Sequence, residues 1–150
     1  MLELFSNSAD STIKIGKLIG SSLTKGTVIA YKGTLAAGKT TLTKGIAEAL
    51  EIDEVITSPT FTLVSEYEGK LPLYHFDVYR LDTVEDFLNI GSEEMMYGEG
   101  VCAIEWSEKI ESALPKDAII IDIEILTPET RKITIKNWPY DKNIFSEFTK

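Results

Sequence analysis

This chain of 150 residues predicts an α/β fold: a mixed β-sheet with a parallel core and antiparallel hairpins, flanked by helices. Three observations carry that expectation. A strand-like run, Thr27-Val28-Ile29-Ala30-Tyr31-Lys32, enters a glycine-bounded loop, and a helix-like run from Thr40 to Leu50 leaves it. A second apolar run, Val101-Cys102-Ala103-Ile104, has no polar alternation, which suits a strand buried on both faces of a parallel sheet. Two hairpin-like pairs, residues 61–67 with 71–79 and 118–126 with 132–138, add antiparallel margins. Helices are too few for regular βα alternation, so the sheet is expected to be mixed. No repeat, low-complexity tract or linker interrupts the chain, and residues 1–150 are expected to form one domain.

Taken in order, residues 2–5 read as a short strand. Ser6 to Asp10 is turn-rich and ends in helix-capping residues. Ile13, Ile15, Leu18, Ile19 and Leu23 then mark a helical stripe, broken slightly by Gly16 and Gly20. Thr24-Lys25-Gly26 is a turn before the central strand. Residues 53–58 run into Pro59 as a loop or short strand. Glu68-Gly69-Lys70 makes a hairpin turn, and Pro72 is tolerated near the start of the return strand. Asp82-Thr83-Val84-Glu85 resembles a capping box opening a helix to about Asn89. Another short helix starts at Gly91-Ser92-Glu93-Glu94. Ser107 is expected to cap a helix that runs to Leu114 and stops at Pro115, and residues 141–148 to form a last helical turn or two.

The loop between the first strand and helix carries the chemistry. Gly33-Thr34-Leu35-Ala36-Ala37-Gly38-Lys39-Thr40 reads G-x-x-x-x-G-K-T, the phosphate-binding loop pattern. At average residue frequencies such a match arises by chance in about half a percent of chains this long. The glycines let backbone N–H groups turn inward around a phosphate. The helix N-terminus adds unpaired donors and a positive dipole end. Lys39 can reach the outer phosphates, and the Thr40 hydroxyl can hold Mg²⁺. A P-loop NTPase-like domain is therefore expected.

Composition narrows the partners. The net charge is −9, with 13 lysines, only Arg80 and Arg131 as arginines, and no basic cluster. A basic stripe is the usual footprint of a nucleic-acid binder, so direct high-affinity nucleic-acid binding is not expected. Cys102 is the single cysteine, which leaves no disulfide framework and favours a reducing cytosol. The start, Met1-Leu2-Glu3-Leu4-Phe5, lacks a signal-peptide pattern. No apolar run approaches the ~20 residues that span a bilayer. A cytoplasmic protein is expected.

A phosphate loop needs a further carboxylate near its metal, usually at the C-terminal end of an apolar strand. Leu73-Tyr74-His75-Phe76-Asp77 and Val101-Cys102-Ala103-Ile104-Glu105 both end in an acid, at the edge where open α/β sheets bind ligands. Either acid can hold Mg²⁺ while the other orients the attacking water, and spacing alone does not divide the roles. Thr60, in Ser58-Pro59-Thr60, sits where a loop can sense the γ-phosphate. His75, mid-strand among apolar neighbours, reads as a packed histidine. Trp106 either caps the core or forms an aromatic platform beside the nucleotide. Arg80 is expected in a buried carboxylate pairing, and Arg131 opens the last strand with no direction fixed.

Together, Gly33-x4-Gly38-Lys39-Thr40-Thr41-Leu42, Ser58-Pro59-Thr60-Phe61-Thr62-Leu63, His75-Phe76-Asp77-Val78-Tyr79-Arg80-Leu81 and Ile104-Glu105-Trp106-Ser107 resemble the TsaE (YjeE) family, the bacterial ATPase of tRNA threonylcarbamoyladenosine biosynthesis. The resemblance runs in order from about Thr12 to Arg131. It departs in the loop, where the family usually reads G-D-L-G-A-G-K-T and this chain has Thr34 and Ala36. Alanine disfavours positive φ, so the loop backbone is expected to differ there.

The resemblance implies that Gly33, Thr34, Leu35, Ala36, Ala37, Gly38, Lys39, Thr40 and Thr41 surround the phosphates of ATP, with Thr40 and Glu105 on Mg²⁺. It implies that Asp77 and Trp106 are needed for function and that Arg131 is a nucleotide contact. It places Ala9, in the turn Ser8-Ala9-Asp10, over the adenine. It also implies partners, TsaD–TsaB, which transfer a threonylcarbamoyl group to the tRNA adenosine beside the anticodon.

Three functions compete. One is a slow, partner-stimulated ATPase in which Lys39, Asp77 and Glu105 carry catalysis. Another is a nucleotide-gated assembly factor with negligible hydrolysis. The third, a small-molecule kinase, is disfavoured because two arginines and no arginine-rich insertion leave nothing to clamp a transferred phosphoryl group. A GTPase is disfavoured further by the lack of an N-K-x-D base-reading motif.

Overall fold

The computed structural model describes residues 1–33, 37–57 and 63–149. Among them run seven strands: β1 (Leu2–Ser6), β2 (Val28–Gly33), β3 (Val64–Tyr67), β4 (Leu73–Asp77), β5 (Val101–Glu105), β6 (Ile119–Ile125) and β7 (Arg131–Lys136). The α-helices are α1 (Ala9–Ser22), α2 (Lys39–Ala49), α3 (Val84–Asn89) and α4 (Ser92–Met96), with 3-10 helices at Ser107–Ala113 and Lys142–Phe148.

The strands form one sheet in the order β1-β7-β6-β2-β5-β4-β3. β4, β5, β2 and β6 run parallel to one another, while β3 joins β4, β7 joins β6 and β1 joins β7 antiparallel. The expected parallel core and antiparallel margins are both present. β5 is buried at every position, as its unbroken apolar run predicts. β6 alternates buried and exposed residues toward its end, as suits a strand leaving the core.

Successive strand residues face opposite sides, and two apolar layers result. Ile29, Tyr31, Leu73, Val101, Ala103, Ile119 and Ile121 pack with Ile15 and Ile19 of α1 and Leu42 and Ile46 of α2. Val28, Phe76, Cys102 and Ile104 pack on the other side with Phe87 of α3, Met96 of α4 and Ile110. Each fully buried Leu or Ile contributes about 1.5–3 kcal/mol relative to exposure, so the two layers fix the positions of the strand ends.

Helices α1 and α2 cross at backbone contact. A Cβ on Gly16 would lie 2.3 Å from Leu42 O, and one on Gly45 would lie 2.2 Å from Ile13 O. The glycines that interrupt the α1 pattern are therefore where α2 lies.

Local detail corrects three expectations. The box before α3 closes between Thr83, whose hydroxyl accepts from Asp86 N at 3.1 Å, and Asp86, which accepts from Asp82 N at 3.3 Å; Glu85 is not the partner. Ser107 does not cap the following helix. That place falls to Trp106, and the Ser107 hydroxyl donates instead to Tyr31 O at 2.9 Å, joining the end of β5 to β2. Arg80 is exposed rather than buried. No helix among the described residues is long and apolar enough to cross a membrane.

Candidate functional site

β2 delivers the chain to the phosphate loop, and α2 takes it away. Two glycines set the bends. Gly33 has φ 117° and its absent Cβ would stand 2.6 Å from Ile123 O, so both conformation and space require glycine there. Gly38 has φ 116° with open space around it, so there the backbone angle alone makes the demand. Gly38 precedes the first turn of α2 without a side-chain cap, which leaves the N-terminal N–H groups for a ligand.

The first residue of α2 is Lys39, only 4 % exposed. Its Nζ lies 4.8 Å from the centroid of the Trp106 ring, within cation–π range. The helix is anchored from below. Thr43 Oγ1 donates to Lys39 O at 2.8 Å and lies 2.8 Å from the Tyr31 hydroxyl on β2. Burial pushes the Tyr31 phenol well above its ordinary range, so it remains a neutral hydrogen-bonding group.

The two acid-ended strands are direct neighbours. In the β4–β5 register, Asp77 stands beside Glu105 and His75 beside Ala103. All four side chains share one sheet face, the one α2 covers. Asp77 is 8 % exposed and Glu105 is 7 % exposed, so neither is an ordinary solvated strand end. Asp77 Oδ1 accepts from Tyr79 N at 3.0 Å. Glu105 Oε2 lies 2.6 Å from Nε2 of the fully buried His75.

Trp106 follows Glu105 in a left-handed conformation, φ 63° and ψ 35°. Such a backbone costs a bulky residue on the order of 1–3 kcal/mol and tends to occur where function requires it. The turn directs the indole across the site, half-buried, against the exposed Tyr79 ring at 4.8 Å between centroids. Lys109 lies over the other ring, 4.8 Å from the Tyr79 centroid, and donates to Tyr79 O. Lysine, tryptophan, tyrosine and lysine thus alternate from the phosphate loop to the surface.

A cavity of about 270 Å³ opens beside the loop, lined by Ser8, Ala9, Thr12, Gly38, Thr41, Pro128, Glu129 and Arg131. Ser8 caps α1 by accepting from Ser11 N at 3.0 Å, which fixes Ala9 at the rim. Arg131 reaches back from β7. Its Nε donates to Ala37 O at 2.9 Å, and one terminal nitrogen donates to the carbonyls of Thr127, Pro128 and Thr130.

The structure therefore brings Gly33, Ala37, Gly38, Lys39, Thr40 and Thr41 together with Asp77, Glu105 and Trp106 at one edge of the sheet, with Ala9 and Arg131 at the adjoining cavity. Thr34, Leu35, Ala36 and Thr60 lie outside the described residues. Sequence reasoning left His75 out of the site; the signal was its place two residues before Asp77, on the same strand face. Thr40 and Glu105 offer a hydroxyl and a carboxylate, hard oxygen donors that suit Mg²⁺. Among the described residues no group of three or more His, Cys, Asp or Glu can hold a metal alone.

Comparison with known proteins agrees with this architecture. Residues 6–133 match the family described as "Threonylcarbamoyl adenosine biosynthesis protein TsaE". The TsaE protein of Treponema pallidum is 49 % identical over 130 residues, covering 87 % of this chain and 96 % of that one. The Bacillus subtilis TsaE protein is 43 % identical over 126 residues, covering 83 % and 78 %. The crystal structure of YdiB from the same bacterium superposes with a TM-score of 0.80 at 36 % identity, covering 97 % of this chain and 92 % of that one. With the family match spanning most of its length, the chain belongs to the TsaE family.

Proposed function

We propose that this chain is a single-domain, Mg²⁺-dependent ATPase of tRNA threonylcarbamoyladenosine biosynthesis, slow alone and stimulated by TsaD–TsaB in the cytoplasm. One observation carries the reading: two buried carboxylates, Asp77 and Glu105, end adjacent strands on the face that the phosphate-loop helix covers. Burying two carboxyl groups side by side is costly for a strand end with only a structural role, whereas a cation and a nucleophilic water use both.

In this reading the N–H groups at Gly38 and the first turn of α2 cradle the phosphates. Lys39 leaves the indole face for the β- and γ-phosphate oxygens. Thr40 and Glu105 would hold Mg²⁺, which would supply positive charge against the outer phosphates. Asp77 keeps Oδ2 for the attacking water while Oδ1 is held by Tyr79 N–H. Water forms the new bond to the γ-phosphorus as the bond to the ADP oxygen breaks. The base enters the cavity between Ala9 and Arg131. The acidic surface, net charge −9, is consistent with a protein that leaves tRNA to its partners.

Phosphate release measured with and without TsaD–TsaB tests the proposal. Turnover that rises with the partners and vanishes in Lys39→Ala is expected. Intact turnover in Lys39→Ala overturns the phosphate-loop assignment, and no release under any condition leaves a nucleotide-gated assembly factor. Glu105→Ala is expected to shift the Mg²⁺ titration more than Asp77→Ala.

A further inference from the structure

His75 is the chain's one histidine, and its side chain is fully buried on β4. Its Nε2 lies 2.6 Å from Glu105 Oε2. Its other nitrogen, Nδ1, is buried without a hydrogen-bond partner among the described residues. Because Asp77 pairs with Glu105 in the strand register, the histidine bond runs diagonally across one step of the sheet.

At that separation the pair is a hydrogen bond in which the ring N–H donates and the carboxylate accepts, because a bare ring nitrogen set against a carboxylate oxygen would be repelled.

We infer that His75 is a positioning residue for Glu105. As a fixed Nε2–H donor it holds Oε2, so that Oε1 is presented to a cation in a single orientation. The terminal torsion of a glutamate is otherwise broad, and a free carboxylate would spread its two oxygens over many arrangements. A bond from a ring packed into the sheet removes that freedom. Carboxylates that hold metals are commonly oriented in this way by a partner that never touches the metal. The inference rests on the reading of Glu105 as the acid that faces Mg²⁺.

His75→Leu deletes the donor, and His75→Gln returns an N–H near the place of Nε2. With a non-hydrolysable ATP analogue bound, Mn²⁺ affinity read by electron paramagnetic resonance should fall about 10- to 100-fold in His75→Leu and stay within about threefold in His75→Gln. Analogue binding in EDTA should not change in either variant. Equal Mn²⁺ affinity in a folded His75→Leu protein overturns the inference, as does a His75→Gln protein that loses as much as His75→Leu. If the unaltered protein with analogue binds no Mn²⁺, the metal reading of Glu105 fails instead, and the inference with it. A ¹⁵N spectrum of the unaltered protein at neutral pH needs no variant, because only one histidine contributes. A hydrogen on Nε2 is expected; a bare Nε2 overturns the inference.

Discussion

Arg131 Nε donates to the carbonyl oxygen of Ala37 at 2.9 Å, across 94 residues of chain. The same guanidinium gathers three carbonyls of the β6–β7 turn, so one side chain clamps that turn to the phosphate loop. A planar fork can serve several acceptors at once, and an ammonium cannot hold the same set. Arg131→Lys keeps the charge but should weaken ATP binding about tenfold, the loss of roughly one charge-assisted bond's net contribution. Calorimetric titration gives the answer, and unchanged affinity would remove the clamp from the account.

The stack of Lys39 on Trp106 gives an optical handle. Phosphate binding should draw the ammonium off the indole face and change its emission. Trp138, the other tryptophan, packs with Tyr140 and Phe145, apart from this stack. A nucleotide-dependent emission change is therefore expected in the unaltered chain and lost in Trp106→Phe. Its survival in Trp106→Phe would place the signal elsewhere.

Cys102 lies on β5 with no exposed surface, and burial pushes its thiol from 9.0 up to about 12. The folded state therefore holds this proton after the unfolded state has released it. The contribution to stability is fully present below pH 9 and is lost as pH rises toward about 12. Cys102→Ala should flatten the fall of the thermal midpoint with pH in that window. A slope identical to that of the unaltered chain would contradict the argument. Native protein should also resist thiol reagents until it unfolds.

Gly16→Ala tests the helix crossing. The new methyl would stand 2.3 Å from a backbone oxygen, which no rotamer change can relieve. Overpacking of this kind costs about 1–3 kcal/mol, and a denaturant titration should show a loss in that range. The same substitution at Gly38 meets open space, so its cost should come from the backbone angle and fall on nucleotide binding first.

The sequence made the architecture readable where function and local geometry coincide. Gly33, Gly38, Lys39 and Thr40 declare the loop at fixed spacing, and the apolar runs ending in Asp77 and Glu105 declare two strand ends. What the residues alone could not supply depended on which strands become neighbours. Asp77 and Glu105 lie 28 residues apart, and only the parallel β4–β5 register makes them adjacent. The bond from His75 follows from that register, so a histidine among apolar residues read as packing alone. Ser107 was expected to serve its own helix because capping is local, yet the Tyr31 carbonyl on a neighbouring strand claimed its hydroxyl. Arg131 pointed nowhere until β7 was placed two strands from β2.

The crossing of α1 and α2 ties the heads of both helices to one hinge. Where Gly16 and Gly45 meet, the two backbones touch with no side chain to compress. A methyl at either glycine is a wedge at that hinge, and it would spread Ala9 and Lys39 at the helix heads apart, and reshape the cavity beside them, without altering a residue that lines it.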